Sequence, residues 1–306
     1  MSLLTKKRDN KKMKKQILLT GGSGFIGRNI RESYLSQKYD IVAPTHAEIN
    51  LVDTKSVDDF FAHHQFDVVL HTAVKPSHRA AVDTQNLFYT NVRMFENLER
   101  NRGEFGKLIN FGSGAIYDVA QNNSGVSEQD IYKNMGVDEH SFTKYIVHKQ
   151  IDNLPNFYDL NIFGIFGKYE DYSIRFISNA ICKSLFDLPI TLRQNRRFSY
   201  LYIDDLMPIL EWFIEQQPKF KSYNITPDGF VELYDIANYV ANISGQQDIR
   251  VANDGYGLDY YGSNTRLKKE IKDIKFTSMD KAITDLYTWY RQNINLIDKQ
   301  MLIKDR

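Results

Sequence analysis

The glycine-rich segment at residues 21–27 carries the most specific chemical signal in this sequence. It directly follows the apolar run at residues 16–20, and its glycines fit two spacings, Gly22-x-Gly24-x-x-Gly27 and Gly21-x-x-Gly24-x-x-Gly27. Such glycines permit a tight turn, let the backbone approach a pyrophosphate and let a helix pack closely on its strand. The helix that begins near Phe25 and Ile26 offers free amides and a partial positive charge to that anion. The segment predicts a bound dinucleotide and therefore redox chemistry.

The elements that must position this turn are predicted to be alternating strands and helices. Short apolar runs predict further strands at residues 40–43, 67–71 and 107–111, and helical patterns occupy 57–64 and 87–100. This alternation implies right-handed crossovers and a parallel sheet covered on both faces. We therefore expect an α/β fold with a Rossmann-like, doubly wound parallel sheet of about seven strands. Ligands bind beyond the carboxyl ends of such strands, so chemistry is expected in the loops after the first, third and fourth strands.

The rest of the chain predicts a smaller second region. Strand-like runs at residues 160–167 and 198–203 precede a last third that is more polar and richer in Tyr and Asn. We interpret this last third as a small mixed C-terminal cap that closes over a polar substrate. The expected organisation is a basic disordered leader, a dinucleotide-binding domain with a return segment, and a substrate-binding cap, at residues 1–15, 16–165 with 198–218, and 166–306 respectively.

Charge is unevenly distributed along the 306 residues. Residues 1–15 contain seven Lys or Arg and one Asp, whereas the remainder carries 32 basic and 37 acidic residues. A mildly acidic body argues against nucleic-acid binding through the overall field. The basic start is interpreted as a solvated, disordered leader, although a tether to RNA or to an anionic membrane would use the same charges.

The number and positions of cysteine and histidine residues limit which disulfides and metal sites are possible. Cys182 is the only cysteine, which excludes an intrachain disulfide and a cysteine-cluster metal site. His63 and His64 fall on a predicted surface helix without a partner in the pattern, so no metal site is expected. No long apolar run suggests a membrane span, and the basic start lacks the apolar segment of a signal peptide. The expected location is cytoplasmic.

Several ordered motifs between about Gln16 and Leu206 make the chain resemble the extended short-chain dehydrogenase/reductase family, which includes nucleotide-sugar epimerases, 4,6-dehydratases and 4-ketoreductases. The motifs are the glycine turn, His71–Val74, Asn91, Gly112–Tyr117, the 140–144 segment, Leu160–Gly167 and Arg197–Asp205. The resemblance implies an NAD(P)-dependent enzyme that acts on a nucleotide-activated sugar. A 4-ketoreductase or epimerase is favoured, because no Asp-Glu or Thr-Glu pair of the kind that 4,6-dehydratases use follows Ser113.

The resemblance also implies a catalytic set. Ser113 would orient the substrate hydroxyl or carbonyl, although a serine beside glycines is also ordinary in turns. The family pairs Tyr-x-x-x-Lys on one helix face, where the lysine binds the nicotinamide ribose and lowers the pKa of the tyrosine. Two registers fit here. The favoured one pairs His140 with Lys144, because the flanking residues agree with the family, and the other pairs Tyr145 with Lys149.

The favoured register puts a histidine where the family has its tyrosine. His140 can exchange protons near neutral pH, and a nearby Lys144 would favour its neutral form, which suits a base better than an acid. An alternative interpretation is a catalytically impaired protein that keeps the dinucleotide and serves a sensing or scaffold role.

Cofactor choice depends on the end of the second predicted strand. A carboxylate there would accept the adenosine 2′-hydroxyl, whereas a 2′-phosphate needs a cation or neutral donors. Thr45 and His46 suit a phosphate and Glu48 comes late, so the sequence favours NADP over NAD. The resemblance implies a wider set of cofactor contacts, namely Gly21, Gly24, Phe25, Ile26, Gly27, Thr45, His46, Asn50, Leu51, Thr72, Ala73, Val74, Asn91 and Lys144.

The remaining expectations concern the residues that contact the substrate and the assembly of the protein into a dimer. The resemblance implies substrate contacts at Lys75, Ser113, Gly114 and Arg197. The planar guanidinium of Arg197 suits a diphosphate because it donates two hydrogen bonds at once, although with Arg193 and Arg196 it could form a solvated loop instead. Related enzymes pair through two helices, and residues 87–100 and 141–151 could form a homodimer in the same way.

Overall fold

The computed structural model describes residues 14–76, 81, 83 and 85–303. Most of the basic leader expected at residues 1–15 therefore lies outside the described residues. Lys15, at its end, forms an ion pair with Glu215 at 2.8 Å and also donates to the carbonyl oxygen of Ile214. The first strand thus begins against the helix that contains these two residues.

Strands and helices alternate through most of the described chain. The strands are β1 Gln16–Thr20, β2 Asp40–Val42, β3 Phe66–His71, β4 Phe105–Phe111, β5 Asn123–Val126, β6 Phe157–Ile162, β7 Gly164–Phe166, β8 Ile190–Leu192, β9 Arg197–Phe198, β10 Tyr200–Tyr202, β11 Ser222–Ile225, β12 Val231–Glu232, β13 Ile249–Val251 and β14 Tyr260–Gly262. The helices are α1 Phe25–Glu32, α2 Leu35–Lys38, α3 Thr54–Phe61, α4 Leu87–Arg100, α5 Glu139–Ile151, α6 Phe176–Leu185, α7 Ile203–Glu215, α8 Leu233–Ser244, α9 Thr265–Glu270, α10 Met279–Gln292 and α11 Lys299–Ile303.

The main sheet has six parallel strands in the order β11-β6-β4-β3-β1-β2. The chain steps from β1 outward to β2, then crosses back to β3 on the other side of β1. The crevice above β1 and β3 is therefore the point at which the strand order reverses, where α/β sheets bind their ligands. The predicted Rossmann-like, doubly wound fold is confirmed.

The prediction of about seven strands in this sheet is wrong by one within the described residues. The apolar run at residues 160–167 divides at Phe163, so β6 stays in the main sheet while β7 pairs with β10 in a separate two-stranded sheet. Phe163 stacks on Tyr117 at a centroid distance of 5.8 Å and contacts the ring of Tyr260 at 5.2 Å. This aromatic packing takes the chain out of the main sheet.

The two faces of the main sheet pack against different helices. Ile17 and Leu19 of β1 face a core shared with α6, α7, α8 and α10, whereas Leu18 faces a core shared with α3, α4 and α5. Successive side chains of a strand point to opposite faces, so a strand buried on both faces is apolar throughout. This explains why β1 is a continuous apolar run.

Strands from the C-terminal third take part in two smaller sheets with strands from earlier in the chain. One has the order β12-β9-β14-β5, with β12 antiparallel to β9 and β14 parallel to both of its neighbours. Because β5 comes from the first half of the chain, this sheet joins distant parts of the sequence. The pair β8-β13 forms a further parallel ladder. Within the described residues, no helix combines the length and apolar character needed to cross a membrane.

Candidate active site

The glycine turn after β1 is shaped by two close approaches. Gly21 adopts a φ of +70°, a conformation that favours glycine, and a Cβ built there would lie 2.7 Å from the amide nitrogen of Ala73. A Cβ at Gly27 would overlap the carbonyl oxygen of Gly21. The amide of Gly24 donates to that same oxygen at 3.0 Å. The backbone therefore requires glycine at both Gly21 and Gly27, and Gly22 is restricted as well, because a Cβ built there would lie 2.8 Å from the side chain of Ala43.

The first turn of α1 is suited to an anion. Gly24 caps the helix without a side-chain hydrogen bond, and no acidic residue lies in the first turn. The first amides of a helix have no partner within the helix and carry partial positive charge. Phe25 and Ile26 therefore present amides that no capping side chain occupies, which fits a dinucleotide pyrophosphate.

In the loop after β2, where the adenosine ribose is expected to bind, several polar groups form hydrogen bonds with one another. The Glu48 carboxylate accepts from the amide of Thr45 at 2.7 Å and from its hydroxyl at 2.8 Å, and these bonds lower the pKa of Glu48. His46 is exposed, and Leu51 is buried with its carbonyl oxygen bound by Asn97. Asn50 accepts from the amide of Val52 at 3.1 Å.

Arg31 is a cation at this loop that the sequence pattern does not single out. Its Nη1 donates to the carbonyl oxygen of Gly22 at 3.3 Å. A Cβ at Gly22 would contact both Arg31 and the side chain of Ala43, which directly follows β2. Arg31 therefore lies at the strand end where a 2′-phosphate would bind. The only signal in the sequence is its place one turn after Gly27 on the same helix.

A cavity opens at the carboxyl ends of β3 and β4. Its lining includes His71, Ala73, Val74, Asn91, Asn110, Phe111, Thr143 and Lys144. The ammonium of Lys144 donates to the carbonyl oxygen of Phe111 at 2.9 Å, and burial lowers the pKa of Lys144. Four predicted cofactor contacts, from the loop after β3, from α4 and from α5, thus meet in one cavity beside the glycine turn.

Two side chains brace this cavity. Asn91 accepts from the amide of Lys75 at 2.7 Å and fixes the loop after β3. Burial, and secondly the charge of Lys144, lowers the pKa of His71 to about 3. The Nδ1 atom of His71 lies 2.8 Å from the hydroxyl of Thr20, and the Thr72 hydroxyl donates to the Thr20 carbonyl at 2.7 Å. These bonds hold the ends of β1 and β3 together.

The two proposed registers on helix α5 differ in where the helix places their lysines. Lys144 reaches the cavity, whereas Lys149 is exposed. Tyr145 packs edge-on against Tyr132 at a centroid distance of 5.7 Å and joins the cluster around Ile116. Only the register that pairs His140 with Lys144 therefore brings its lysine to the sheet edge.

His140 lies in the first turn of α5, where Asp138 caps the helix by accepting from the amide of Ser141 at 2.9 Å. Burial lowers the pKa of His140 to about 4, and the charges of Lys144 and Arg175 act in the same direction. Asp138 opposes this shift. The imidazole is consequently neutral at neutral pH, as its proximity to Lys144 predicts.

Arg175, which precedes α6, and Tyr260, in β14, are two further groups near the site that the sequence pattern does not identify. Arg175 is exposed and close enough to His140 to affect its pKa. The Tyr260 hydroxyl lies 2.7 Å from the place where a Cβ of Gly114 would stand. Their positions in the sequence give no signal, since both come from elements far from α5.

Ser113 caps the short 3₁₀ helix at residues 114–117, and its Oγ accepts from the amide of Ala115 at 3.1 Å. Tyr260, whose hydroxyl lies against Gly114, is also close enough to Ser113 for the serine to oppose the rise in its pKa that burial causes. The predicted substrate residues Ser113 and Gly114 thus lie together against the C-terminal third of the chain.

The other predicted substrate residues have partners of their own. Arg197 keeps 43% of its side chain exposed, lies 3.9 Å from Asp259, and stands over the rings of Phe230 and Tyr256. Lys75 forms an ion pair with Asp83 at 2.7 Å. Among the residues that the structure describes, no group of three or more His, Cys, Asp or Glu is placed to hold a metal ion.

Comparison with characterised proteins gives partial matches in sequence. A GDP-L-fucose synthase of Azorhizobium caulinodans is 28% identical over 153 residues, which cover 47% of this chain and 49% of that protein. A GDP-L-colitose synthase of Yersinia pseudotuberculosis is 29% identical over 106 residues, 33% of this chain and 34% of that protein. The matched segments span about a third to a half of these relatives.

Solved structures match over nearly the whole chain. A GDP-mannoheptose C4 reductase from Campylobacter jejuni, determined with NADP bound, superposes with a TM-score of 0.77 at 20% identity and covers 91% of this chain and 98% of its own. A GDP-L-fucose synthetase from Naegleria fowleri has a TM-score of 0.77 at 16% identity, with coverages of 93% and 95%. At this identity the likeness concerns the fold.

A family model extends the match across both the glycine turn and the 140–144 segment. The model of the NAD dependent epimerase/dehydratase family covers residues 17–226, from β1 through β11. This range includes every strand of the main sheet, the cavity at its carboxyl edge and helix α5. Because the match spans well over half of the sequence, the chain belongs to the NAD-dependent epimerase/dehydratase family.

Proposed function

We propose that this protein reduces the 4-keto group of a nucleotide-activated sugar, with NADPH as the reductant. The observation that carries the proposal is the position of Lys144, whose ammonium bonds the carbonyl oxygen of Phe111 two residues before Ser113. The cation, the serine and the glycine turn therefore share one edge of the sheet. This is the arrangement needed to hold a nicotinamide and a sugar carbonyl together.

The residues that would bind the cofactor are the first turn of α1 and the cavity lining. Phe25 and Ile26 would donate their amides to the pyrophosphate, and Lys144 would bind the nicotinamide ribose. Arg31 would meet the adenosine 2′-phosphate of NADP. When bound, the reduced nicotinamide would supply a hydride to the sugar carbonyl carbon.

Ser113 would donate a hydrogen bond to the carbonyl oxygen and stabilise the negative charge that develops there. The new hydroxyl also needs a proton. Neutral His140 has one N–H donor and one acceptor nitrogen, so it can pass its proton to the oxygen while it takes another from water. His140 would therefore act as a relay and remain neutral before and after turnover.

Ketoreduction is favoured over epimerisation by the charges around His140. Inversion of a carbon beside the ketone needs a base that removes a proton and an acid on the opposite face. The neighbours that lower the pKa of His140 are the cations Lys144 and Arg175. Two cations stabilise the oxyanion that forms during ketoreduction. Of these three groups, neutral His140 would be the base of an epimerisation, and the acid that this reaction needs on the opposite face is left unassigned.

The nucleotide would lie on the exposed side of β9. Arg197 keeps a large exposed fraction and stacks near Phe230 and Tyr256, so its charge and the rings are available to a sugar diphosphate. GDP-linked sugars are the first substrates to test, because several relatives are named for them.

The test is NADPH consumption with a panel of GDP-, UDP- and dTDP-linked 4-keto sugars, with product identification by NMR. We expect one nucleotide class to give turnover and the 4-hydroxy sugar in equal amounts to NADPH consumed. His140→Phe should lower kcat, and Tyr145→Phe should leave it nearly unchanged. Loss of activity in Tyr145→Phe with an unaffected His140→Phe would contradict the assignment of the site.

A second candidate is a dinucleotide-binding protein without turnover, favoured by the histidine at position 140, where the family has its tyrosine. In that case the wild type binds NADPH in titration calorimetry but consumes none with any sugar of the panel. His140→Tyr then provides a direct comparison, because it restores a phenol beside Lys144. Turnover that appears only in His140→Tyr would support the second candidate against the first.

A further inference from the structure

A buried polar cluster lies next to the cavity, on the face of the main sheet that packs against α5. Its centre is Asp159 in β6, with only 1% of its surface exposed. One carboxylate oxygen of Asp159 accepts from the side-chain amide of Asn110 at 2.7 Å, and the other accepts from Nδ1 of His148 at 3.0 Å. Asn110 and His148 are also buried, and Asn110 lines the cavity. The sequence motifs give none of these three side chains a role.

This cluster connects the two elements that hold Lys144. Lys144 and His148 are one turn apart on α5, so they lie on the same face of the helix. Asn110 precedes Phe111, the residue of β4 whose carbonyl oxygen accepts from Lys144 at 2.9 Å. Helix α5 is therefore attached to the end of β4 at two successive places, directly through Lys144 and one turn later through His148 and Asp159.

Asp159 also lies against the peptide group that Lys144 binds. The carbonyl of Phe111 is joined to Gly112, and a Cβ built at Gly112 would overlap the Asp159 carboxylate. The ammonium and the carboxylate therefore flank one peptide group. Burial lowers the pKa of Lys144, and the charge of Asp159 opposes this shift. An ammonium withdrawn from water keeps its proton more readily when an opposite charge lies near it.

His71, from β3, and His140, from the same helix, are two further titratable groups near Lys144. Burial, and secondly the charge of Lys144, lowers their pKa values to about 3 and about 4. Both imidazoles are therefore neutral at neutral pH and cannot balance the ammonium. The acidic group that acts on Lys144 is Asp159.

His148 is the second basic group that Asp159 faces. Burial lowers the pKa of His148, but the hydrogen bond and the charge of Asp159, with the charge of Asp152, raise it above the usual histidine value. The Asp152 carboxylate lies 3.7 Å from Nε2, and Arg266 opposes the rise. The ring of Tyr132 packs 5.9 Å from the imidazole. One carboxylate thus faces two basic side chains that are one turn apart on α5.

We propose that Asp159 is a positioning residue for Lys144, because it holds α5 against β4 and supplies the buried negative charge that balances the ammonium. This inference rests on the proposed function, in which Lys144 binds the nicotinamide ribose. It deepens that function by assigning the residue that keeps Lys144 charged and in place. Without the carboxylate, Lys144 would lose its proton at a lower pH, and a neutral amine is a weaker donor to the ribose hydroxyls.

The test is Asp159→Asn, which removes one charge and keeps the shape of the side chain. Asp152→Asn is the matched control, because Asp152 also faces His148 but lies two turns after Lys144, at the end of α5. The ionisation of Lys144 is measured without cofactor or sugar, from the ¹³C shift of its Cε in lysine-labelled protein, assigned with Lys144→Met. Calorimetry measures NADPH binding at about pH 7 and about pH 9, and circular dichroism checks the fold.

We expect Asp159→Asn to lower the pH at which Lys144 titrates, because the charge that opposes its desolvation is lost. NADPH binding should weaken roughly tenfold at the higher pH and much less at the lower pH, since the charge-assisted bond to the ribose is lost only where the amine is neutral. Asp152→Asn should change neither quantity. An unchanged titration of Lys144, equal weakening of NADPH binding at both pH values, or the same changes in Asp152→Asn would overturn the inference.

A second measurement tests the proposal even if Asp159→Asn does not fold. If Asp159 is shared by two basic groups, loss of the Lys144 charge should raise the pKa of His148 further. Histidine ring NMR would follow His148 in Lys144→Met, with Lys149→Met as the control, because Lys149 is adjacent to His148 but exposed. A titration of His148 that is the same in wild type and Lys144→Met would also overturn the inference.

The two levels of proposal fail differently. The titration of Lys144 and the binding of NADPH need no sugar, so they test the role of Asp159 alone. If the wild type reduces a 4-keto sugar and Asp159→Asn behaves like Asp152→Asn, only that role is refuted. If both aspartate variants behave as expected but the wild type consumes no NADPH with any nucleotide sugar, the proposed reduction fails and the role of Asp159 in the cofactor site stands.

Discussion

The two ends of the candidate site are built from different parts of the polypeptide. At the proposed cofactor end, the turn at residues 21–27 and the first turn of α1 present backbone amides, and no side chain caps the start of that helix. At the proposed substrate end, the groups near one another are side chains from four separate segments, namely Ser113, His140, Arg175 and Tyr260. The first end is therefore constrained by space and the second by charge and hydrogen bonding.

Because of this difference, different kinds of substitution should impair the two ends of the site. A backbone site loses function when an added atom changes the path of the chain, as at Gly21 or Gly27. A side-chain site loses function when one group is replaced without any change of fold. Four predictions, from the largest expected effect to the smallest, separate these two kinds of constraint.

Lys144→Met should have the largest effect on turnover while leaving the fold intact. Loss of the cation that bonds the Phe111 carbonyl should lower kcat/KM by about a thousandfold, within the range for groups that bind and polarise reacting atoms. Steady-state kinetics and circular dichroism would measure both. Lys149→Met is the control, because Lys149 is exposed on the same helix and its loss should be neutral. A similar loss in both variants would refute the assigned register.

Gly27→Ala should act mainly by destabilising the fold, in contrast to Lys144→Met. The added methyl overlaps the carbonyl oxygen of Gly21, and we expect a cost of about 3 kcal/mol in the free energy of unfolding together with much weaker NADPH binding. Urea denaturation and calorimetry would measure these quantities. Gly103→Ala is the control, since no atom lies within 4 Å of a Cβ built there. A stable Gly27→Ala protein that binds NADPH normally would show that the turn tolerates a side chain.

The pH dependence of stability tests the charges at both ends. His71 and His140 have pKa values lowered to about 3 and about 4, so the unfolded chain takes up protons at these positions as the pH falls below about 6.5 and the folded chain does not. Their contribution is complete above pH 6.5 and is lost as the pH falls toward 4. Between pH 7 and 5 each should cost about 2 kcal/mol in the free energy of unfolding.

Denaturation at several pH values checks this prediction with single substitutions. His71→Asn and His140→Phe should each flatten the slope between pH 6.5 and 5, and His63→Gln, at an exposed position, should not. Wild-type slopes in both variants would mean that the two imidazoles titrate normally in the folded protein.

Arg31→Ala should have the smallest effect, a loss of about fivefold in the preference for NADPH over NADH, as expected for one partly exposed charge contact. Competition titrations with both cofactors would measure it. Arg28→Ala is the control, because Arg28 is engaged with Glu32 at 2.9 Å and stacks on Tyr169. An equal preference in wild type and Arg31→Ala would mean that Arg31 does not contact a 2′-phosphate of the bound cofactor.

The cofactor end was the more predictable from sequence, for a physical reason. Gly21, Gly24 and Gly27 lie within one turn and its helix, so local spacing reports local geometry. The parallel sheet was equally accessible, because strands buried on both faces are continuous apolar runs. The same rule misled at residues 160–167, where the apolar run is shared by two strands of different sheets.

The substrate end was less predictable because its partners are far apart in the chain. Ser113 and Lys144 follow motifs, but Tyr260 lies against Gly114 because β14 pairs with both β5 and β9. Arg175, which directly precedes α6, is close enough to His140 to lower its pKa, and the sequence has no local sign of this proximity. Arg31 was also missed, since its position depends on the closeness of α1 to the end of β2.

The late position of β14 also sets an order of assembly. All six strands of the main sheet are complete once residue 225 has been made, whereas Tyr260 emerges later. Domains tend to fold from the N-terminus during synthesis. A growing chain can therefore complete the sheet edge that carries the glycine turn and Lys144 before β14 is present beside Gly114.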